Sequence, residues 1–257
     1  MDQYEARFGG IGRLFSQEGL EKLRRAHICV VGLGGVGSWA VEALVRSGVG
    51  ELTLVDLDDV CVGNVNRQLH ALDGELGKPK VEVMARRVQA INPQCRVTAM
   101  HAFFLKSNAK EILRTKFDAV LDAIDSPARK CLLIALCRSE GIPVLTTGAS
   151  AGRRDPTAIE IVDLAFSSHD RLLQEVRKKL RVRHGFPRGD EPFGVPCVVS
   201  REPVVYPEGE AGCEPGAGPD LRLDCNSGFG TASFVTGTFG LVAASWIVRK
   251  LAESSRA

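Results

Sequence analysis

The sequence has no pair of cysteines at C-x-x-C spacing, although eight cysteines are spread over its 257 residues. Structural zinc sites are commonly built from such pairs, so their absence argues against a site of that kind. Several thiols lie in apolar runs, such as Cys29 between Ile28 and Val30. The N-terminus also lacks the apolar run of a secretory signal. We therefore expect free, mostly buried thiols in a cytoplasmic protein.

A large net charge is lacking too, because 33 basic residues nearly balance 31 acidic ones and leave +2. The whole-chain charge therefore indicates neither a nucleic-acid nor a membrane partner, and local charge must carry any such argument. The uncharged segment 232–248 is shorter than the roughly 20 apolar residues of a membrane-spanning helix. Since it holds several Gly, Ser and Thr residues, it favours a helix packed inside the protein or across a dimer contact over membrane association.

Apolar patterns predict strands and helices that alternate through the first 150 residues. A short helix over 16–25, with Ser16 as its N-cap, follows an N-terminal arm. The predicted strands cover 28–31, 51–55, 96–102, 117–123 and 143–147, with helices at 38–47, from Pro79 onwards, at 107–115 and at 126–140. This alternation predicts an α/β fold, a Rossmann-like mostly parallel sheet with helices on both faces.

The pattern changes after residue 147. Two apolar runs, 159–164 and 197–206, predict antiparallel strands that extend the sheet, and a basic helical stretch lies between them. Residues 207–220 are rich in Gly and Pro and predict a loop. An apolar helix around 231–252 follows. One α/β domain accounts for this length without a second core.

A glycine-rich turn follows the first predicted strand and opens a helix, as a dinucleotide-binding turn does. Its glycines are Gly32, Gly34, Gly35 and Gly37. Glycines permit the tight turn and let phosphate oxygens approach the free N–H groups of the helix N-terminus. Asp56 ends the next strand, where a carboxylate can accept hydrogen bonds from ribose hydroxyls. The pattern predicts a nucleotide site, and taken alone it favours NAD.

Charged residues beyond the turn favour ATP instead. Arg67 and Lys80 follow the second strand closely, and positive groups stabilise the charge that develops on a triphosphate as pyrophosphate leaves. A nicotinamide cofactor has no such need. Asp125, at the end of a later strand, could hold a Mg²⁺ that bridges phosphate oxygens. Taken singly, each residue has another explanation, either a surface charge or, for Asp125, a helix cap.

Together these motifs resemble the adenylation site of ubiquitin-activating enzymes and of their ThiF-type bacterial relatives in molybdopterin and thiamine synthesis. The resemblance implies that Asp56 binds the ribose of ATP and that Asp125 organises Mg²⁺. Arg7 matches the arginine that homodimeric relatives send into the partner's ATP site, so a homodimer is implied, and a monovalent cation is a further candidate. The other implied cofactor and phosphate contacts are Gly32, Gly34, Gly35, Gly37, Asp58, Asn64, Arg67, Gln68 and Lys80.

Further segments resemble the tRNA threonylcarbamoyladenosine dehydratase branch of that superfamily. These segments are 7–10, 58–62, 122–126, 146–148 and 224–230, which together span nearly the whole chain. The resemblance implies that ATP adenylates the threonyl carboxylate of the modified adenosine and that the nucleoside's own urea-like group displaces AMP. Net dehydration then closes a ring. The implied partners are tRNA and a cysteine desulfurase with its sulfur acceptor.

Two other functions stay open at this point. One is an adenylyltransferase that activates the C-terminal carboxylate of a ubiquitin-fold sulfur-carrier protein. Relatives of that kind usually hold zinc in two C-x-x-C pairs, which this sequence lacks. The other is an NAD-dependent oxidoreductase, which the glycine turn alone would permit.

The basic stretch 171–188 supports an RNA partner. Seven cations there accompany one acid before Arg188, a density that can neutralise backbone phosphates, although a solvated helix face is the alternative. We therefore expect one domain over 1–257, with an arm and helix at 1–25, a nucleotide-binding core at 26–150 and a tRNA-binding and dimerisation extension at 151–257. The candidate tRNA contacts are Arg171, Arg177, Lys178, Lys179, Arg181 and Arg183.

Cys225 lies beside Asp224 in a polar, glycine-rich turn. Its thiol is therefore a candidate transient nucleophile for an acyl intermediate. A structural thiol near the dimer contact is the favoured alternative, because a tethered nucleophile requires no enzyme thiol.

Overall fold

Seven strands form one sheet in the computed structural model, which describes residues 3–206 and 229–254. The strands are β1 His27–Val31, β2 Glu51–Asp56, β3 Arg96–His101, β4 Ala119–Asp122, β5 Val144–Thr147, β6 Ile159–Asp163 and β7 Pro196–Ser200. Their order is β3-β2-β1-β4-β5-β7-β6, with parallel pairing except between β6 and β7. The predicted mostly parallel sheet is confirmed. β6 extends the sheet as an antiparallel strand, as predicted, whereas β7 runs antiparallel to β6 but parallel to β5.

Helices cover both faces of the sheet. They are α1 Gln3–Arg25, α2 Gly37–Arg46, α3 Lys80–Ile91, α4 Ala109–Leu113, α5 Pro127–Ser139, α6 Arg171–Arg183 and α7 Ser233–Glu253. One apolar core includes α2, α3 and α7, and the other includes α4, α5 and α6. Successive strand residues point to opposite faces, so Val30 enters the first core and Val31 the second.

The N-terminal arm predicted before residue 16 is itself helical, so that expectation was wrong. α1 starts at Gln3 and is interrupted at Ser16, whose φ is 72°. Tyr4 and Phe8 lie one turn apart and are both buried, and the Tyr4 hydroxyl donates to the carbonyl of Gly48 at 2.5 Å. The predicted N-cap is confirmed, because Ser16 Oγ accepts a hydrogen bond from Gly19 N at 3.1 Å.

α7 is long and apolar enough to cross a membrane, yet half of its most apolar window is buried inside the protein. It packs against α2 so closely that a Cβ on Gly240 would lie 2.4 Å from the carbonyl oxygen of Val36. These contacts favour a packed helix over a membrane helix. The face that remains outside carries Phe234 and Leu241.

Within the described residues the cysteines form no disulfide, and five of these six thiols are buried. Burial raises the pKa of Cys95 to about 12 and that of Cys131 to about 11, so neither thiol is a ready nucleophile. Cys61 is exposed. Cys225 and the predicted loop 207–220 lie outside the described residues.

Candidate nucleotide site

The strand order reverses beside β1, which lies between β2 and β4. In open α/β sheets, ligands bind at the carboxyl ends of the strands where the order reverses. The glycine turn follows β1 at this place. Gly32 has φ 93°, and a Cβ there would lie 2.6 Å from the carbonyl oxygen of Ala123. A Cβ on Gly37 would lie 1.8 Å from the Gly32 oxygen, so both positions require glycine.

A cleft opens above this turn, and most of the predicted nucleotide contacts line it. The predicted residues in its wall are Gly32, Gly34, Gly35, Asp56, Asp58, Arg67, Gln68, Lys80 and Asp125. Residues separated by up to 93 positions in the sequence therefore meet at one edge of the sheet.

Asp56, at the carboxyl end of β2, fixes the glycine turn. Its Oδ2 accepts a hydrogen bond from Leu33 N at 2.6 Å, and its Oδ1 accepts one from Asp58 N at 2.8 Å. Burial raises the pKa of the Asp56 carboxyl, while nearby Lys80 and the two backbone N–H groups oppose that rise. Each carboxylate oxygen has a second lone pair, so Asp56 can still accept ribose hydroxyls.

Lys80 is the first residue of α3, and Pro79, which we expected to begin the helix, immediately precedes it. Lys80 is only 5% exposed. Its Nζ lies 2.9 Å from Asp58 Oδ2, and the Asp58 side chain is 56% exposed. The buried ammonium therefore has one solvated anionic partner, which phosphate oxygens entering the cleft can replace.

Arg67 and Gln68 reach the cleft from a turn held by α2 and α7. The Arg67 carbonyl accepts from Trp39 Nε1 at 3.0 Å and from Thr236 Oγ1 at 3.3 Å. The Arg67 Nη1 donates to the carbonyl of Gly63 at 2.7 Å. Gln68 is buried, and its Oε1 has no hydrogen-bond partner in the described structure. Buried polar atoms are normally paired, so this oxygen marks a place for a donor from a ligand or a water.

Asp125 follows β4 and presents an exposed carboxylate to the cleft. Within residues 3–206 and 229–254, no group of three or more His, Cys, Asp or Glu side chains is arranged to hold a metal ion. Mg²⁺ at nucleotide sites is typically bound by one or two carboxylates together with phosphate oxygens and water. Asp125 beside a triphosphate therefore fits Mg²⁺.

Three residues that were predicted for the nucleotide site lie outside the wall of the cleft. Gly37 closes the glycine turn, where a Cβ would lie against the Gly32 oxygen. Asn64 is buried, and its Oδ1 accepts from Cys61 N at 3.0 Å, so it shapes the turn that carries Arg67. Arg7 is exposed on α1, and its Nη1 donates to the carbonyl of Ile91 at 3.2 Å.

One wall of the cleft is formed by residues that were not predicted to contact the nucleotide. Thr147 at the end of β5 and residues 148–150 after it line this wall, as do Phe103 and Arg129. The Arg129 guanidinium lies 3.8 Å from the centre of the Phe103 ring, a cation–π contact. A usable signal existed for the first group, because residues directly after a parallel strand lie at the ligand-binding edge.

Two arginine side chains of the basic helix α6 make hydrogen bonds within the protein. Arg177 donates to the carbonyl of Ser167 at 2.7 Å, and Arg181 donates to the carbonyl of Pro187 at 3.1 Å. Burial lowers the pKa of Arg177. These two cations therefore fasten α6 to the body of the protein.

The other four predicted cations on α6 are more available. Lys179 lies 3.2 Å from Glu175 within the helix, and the Arg171 guanidinium lies 5.9 Å from the centre of the Tyr206 ring. Lys178 and Arg183 are exposed and form no ion pair with the described residues. They are the strongest candidates for contact with RNA.

Known proteins of one family match nearly the whole length of this chain. A model of the ThiF family matches residues 10–256. The tRNA threonylcarbamoyladenosine dehydratase of Haemophilus influenzae is 47% identical over 252 residues, which is 98% of this chain and 95% of that protein. The crystal structure of the Escherichia coli tRNA N6-threonylcarbamoyladenosine dehydratase in complex with ATP matches with TM-score 0.88 and 44% identity over 98% of this chain and 96% of that one. A sulfur carrier protein adenylyltransferase of Thermus thermophilus is 43% identical, but over only 42% of this chain and 40% of that protein.

Proposed function

The chain belongs to the ThiF family, and we propose that it is an ATP-dependent dehydratase acting on threonylcarbamoyladenosine in tRNA. The observation that carries the proposal is 47% identity to a dehydratase of this name over 98% of the chain. That match includes both the nucleotide cleft and most of the extension after residue 150. The sulfur-carrier adenylyltransferase matches less than half of the chain, so the carrier alternative lacks comparable support.

The proposed reaction has two steps. A threonyl carboxylate oxygen attacks the α-phosphorus of ATP, and the bond to pyrophosphate breaks. The urea-like group of the same nucleoside then attacks the acyl carbon and loses its proton, and AMP leaves as the ring closes. Because nucleophile and acyl group are tethered to each other, proximity supplies much of the rate. No enzyme thiol is needed, so we propose a structural role for Cys225.

The cleft supports assigned roles for its residues. We propose that Asp56 orients the ribose, that the glycine turn binds phosphate oxygens through its N–H groups, and that Arg67 and Lys80 stabilise the departing pyrophosphate. Asp125 would hold Mg²⁺, which neutralises phosphate charge when bound. Gln68 offers an unpaired buried acceptor at the same place.

The test of the proposal is conversion of the modified nucleoside by the purified chain. Modified tRNA, ATP and Mg²⁺ are incubated with the protein, and the tRNA is digested and analysed by mass spectrometry. The expected product is the nucleoside lighter by one water, formed together with AMP and pyrophosphate. AMP formation that requires a small protein ending in Gly-Gly, and not tRNA, would instead support the carrier-activating alternative.

We also propose that two copies of this chain form the working enzyme. The exposed face of α7 carries Phe234 at 58% exposure, and Val65 at 54% exposure lies close to the start of that helix. Their proximity follows from Asn66, whose Nδ2 donates to the carbonyl of Thr231 at 2.9 Å. Contiguous exposed apolar surface marks interaction sites, and we propose that these two side chains contribute to such a surface. In the proposed dimer, α7 contacts protein rather than lipid. We therefore propose a cytoplasmic protein.

The extension 151–257 is proposed to bind tRNA through α6, within one domain. Reversing Lys178 and Arg183 to Glu should weaken tRNA binding and flatten its dependence on salt. Each lost phosphate contact should reduce the slope of log affinity against log salt by about 0.7–0.9. Binding measured by fluorescence anisotropy across a salt series provides the slope, and ATP affinity should stay unchanged.

Arg114 and Lys116 provide the matched control. Both are exposed, but they precede β4 and therefore lie at the amino ends of the strands, opposite the cleft. Reversing them makes the same change in net charge. If both double variants bind tRNA with the original slope, α6 is only a solvated face. The sulfur-transfer partner and the monovalent cation stay predictions from family resemblance.

A further inference from the structure

A fully buried ion pair lies behind the cleft, at the end of β4. Lys130 on α5 places its Nζ 3.0 Å from Asp122 Oδ2, and both side chains are 0% exposed. The same Nζ donates to the Asp122 carbonyl at 3.3 Å. Thr146 Oγ1 donates to Asp122 Oδ2 at 2.6 Å, and Thr147 Oγ1 donates to the Asp122 carbonyl at 3.2 Å. β4, β5 and α5 are thus joined at one buried carboxylate.

The network continues directly into the wall of the cleft. Asp122 Oδ1 accepts from Ile124 N at 3.1 Å, which fixes the turn between β4 and Asp125. Ala123 N donates to the Val31 carbonyl at 2.9 Å, and the Ala123 oxygen is the atom that would lie nearest to a Cβ on Gly32. The short turn 123–125 therefore sets the position of Asp125 and also contacts the glycine turn.

Stability alone is a weak reason for such a pair. Removing two charges from water is costly, and replacing a buried pair by neutral side chains of similar volume is often neutral or stabilising. A pair that also holds a ligand-binding turn has a geometric role. Groups that orient a metal-binding carboxylate through another residue typically change affinity or activity 10- to 100-fold when they are removed.

We propose that Asp122 and Lys130 are positioning residues for nucleotide activation: they hold the 123–125 turn so that Asp125 and the glycine turn meet the triphosphate in one geometry. The activity readout of this inference rests on the proposed function. Its second readout, the binding of ATP, does not depend on that function. The pair itself contacts no substrate. Its loss displaces groups that do, and misplacement of reacting groups by about 1 Å can lower a rate about 100-fold.

The experiment compares Lys130→Met, Asp122→Asn and the double variant with the unchanged chain. Either single change leaves one buried charge without its oppositely charged partner and should lower the melting temperature. The double variant should recover much of that melting temperature. Its single-turnover rate of AMP formation should nevertheless stay about 10- to 100-fold low, and ATP binding should require more Mg²⁺. Recovery of both the melting temperature and the rate in the double variant would overturn the proposal.

Glu42 and Arg87 provide a matched pair outside the cleft. Arg87 donates to the two Glu42 oxygens at 2.6 and 3.0 Å, and neither residue lines the cleft. Glu42→Gln should lower the melting temperature without changing the rate or the Mg²⁺ requirement. An equal fall in rate for Glu42→Gln at equal destabilisation would mean that any loss of stability slows the enzyme, which contradicts a positioning role.

Thr146→Val keeps the proposal testable if the other variants do not fold. It removes only one donor to Asp122 and nearly preserves volume. The expected result is a several-fold fall in kcat with a smaller change in KM for ATP, and unchanged values would contradict the proposal. ATP titrations at several Mg²⁺ concentrations separate the positioning role from the proposed function. They report on the 123–125 turn even if the unchanged chain fails to convert tRNA.

Discussion

The Lys80→Ala variant is expected to form AMP about 10²–10³ times more slowly than the unchanged chain. Lys80 is a buried ammonium that lines the cleft, and its partner Asp58 is largely solvated. In the proposed reaction it stabilises charge that grows on the phosphates as pyrophosphate leaves. Removing one preorganised group of this kind therefore affects the transition state more than the bound ground state. The measurement is single-turnover AMP formation with modified tRNA.

The fold should survive this change. Asp58 loses its partner in Lys80→Ala, but its side chain is 56% exposed, so water can solvate the carboxylate. Lys78→Ala is the matched control, because Lys78 lies two residues earlier, pairs with Glu75 at 3.0 Å and does not line the cleft. Equal rates for both lysine variants would remove the phosphate role assigned to Lys80.

The alternation of strands and helices could be predicted closely because both faces of the sheet are buried. Strands such as β1 and β4 are then continuous apolar runs that end in polar or glycine residues. The helix at 3–15 could not be predicted in this way. Gly9, Gly10 and Gly12 lower its intrinsic helix propensity, and it is stabilised by the burial of Tyr4 and Phe8 against the rest of the protein.

The parallel pairing of β7 with β5 was also hidden from the sequence. Nearly 50 residues separate the two strands, and local patterns contain no information on which edge a returning strand will join. The helix α6 was correctly predicted, but the contacts of Arg177 and Arg181 with carbonyls of neighbouring loops depend on packing. Charge density in a sequence does not reveal such internal contacts.

The nucleotide contacts were predictable near the carboxyl ends of strands. Asp56 ends β2 and Asp125 lies three residues after β4, and both line the cleft. The Asp122–Lys130 pair was not predictable, since i to i+8 spacing across a strand, a turn and a helix start has no sequence signature. Its burial and its bond to Thr146 become visible only when β4 and β5 lie side by side.

An equal mixture of Arg7→Ala and Asp125→Asn subunits, each inactive alone, should regain activity. Arg7 donates to Ile91 at the C-terminal end of α3, whereas Lys80 at the other end of that helix lines the cleft. Eleven residues at 1.5 Å each place these ends about 16 Å apart, so Arg7 is far from its own cleft. If it completes the partner's site, a heterodimer contains one site with both residues intact. After full exchange about a quarter of all sites are then intact.

Lys80→Ala mixed with Asp125→Asn is the control for this experiment. Both residues line the cleft of one chain, so neither site of that heterodimer is complete and activity should stay absent. Subunit exchange is verified by mass spectrometry of differently tagged copies. Recovery in the first mixture but not in the second would establish that Arg7 acts across the dimer. If exchange is complete and the first mixture stays inactive, the cleft is served by one chain, and the exposed position of Arg7 on α1 requires a different explanation.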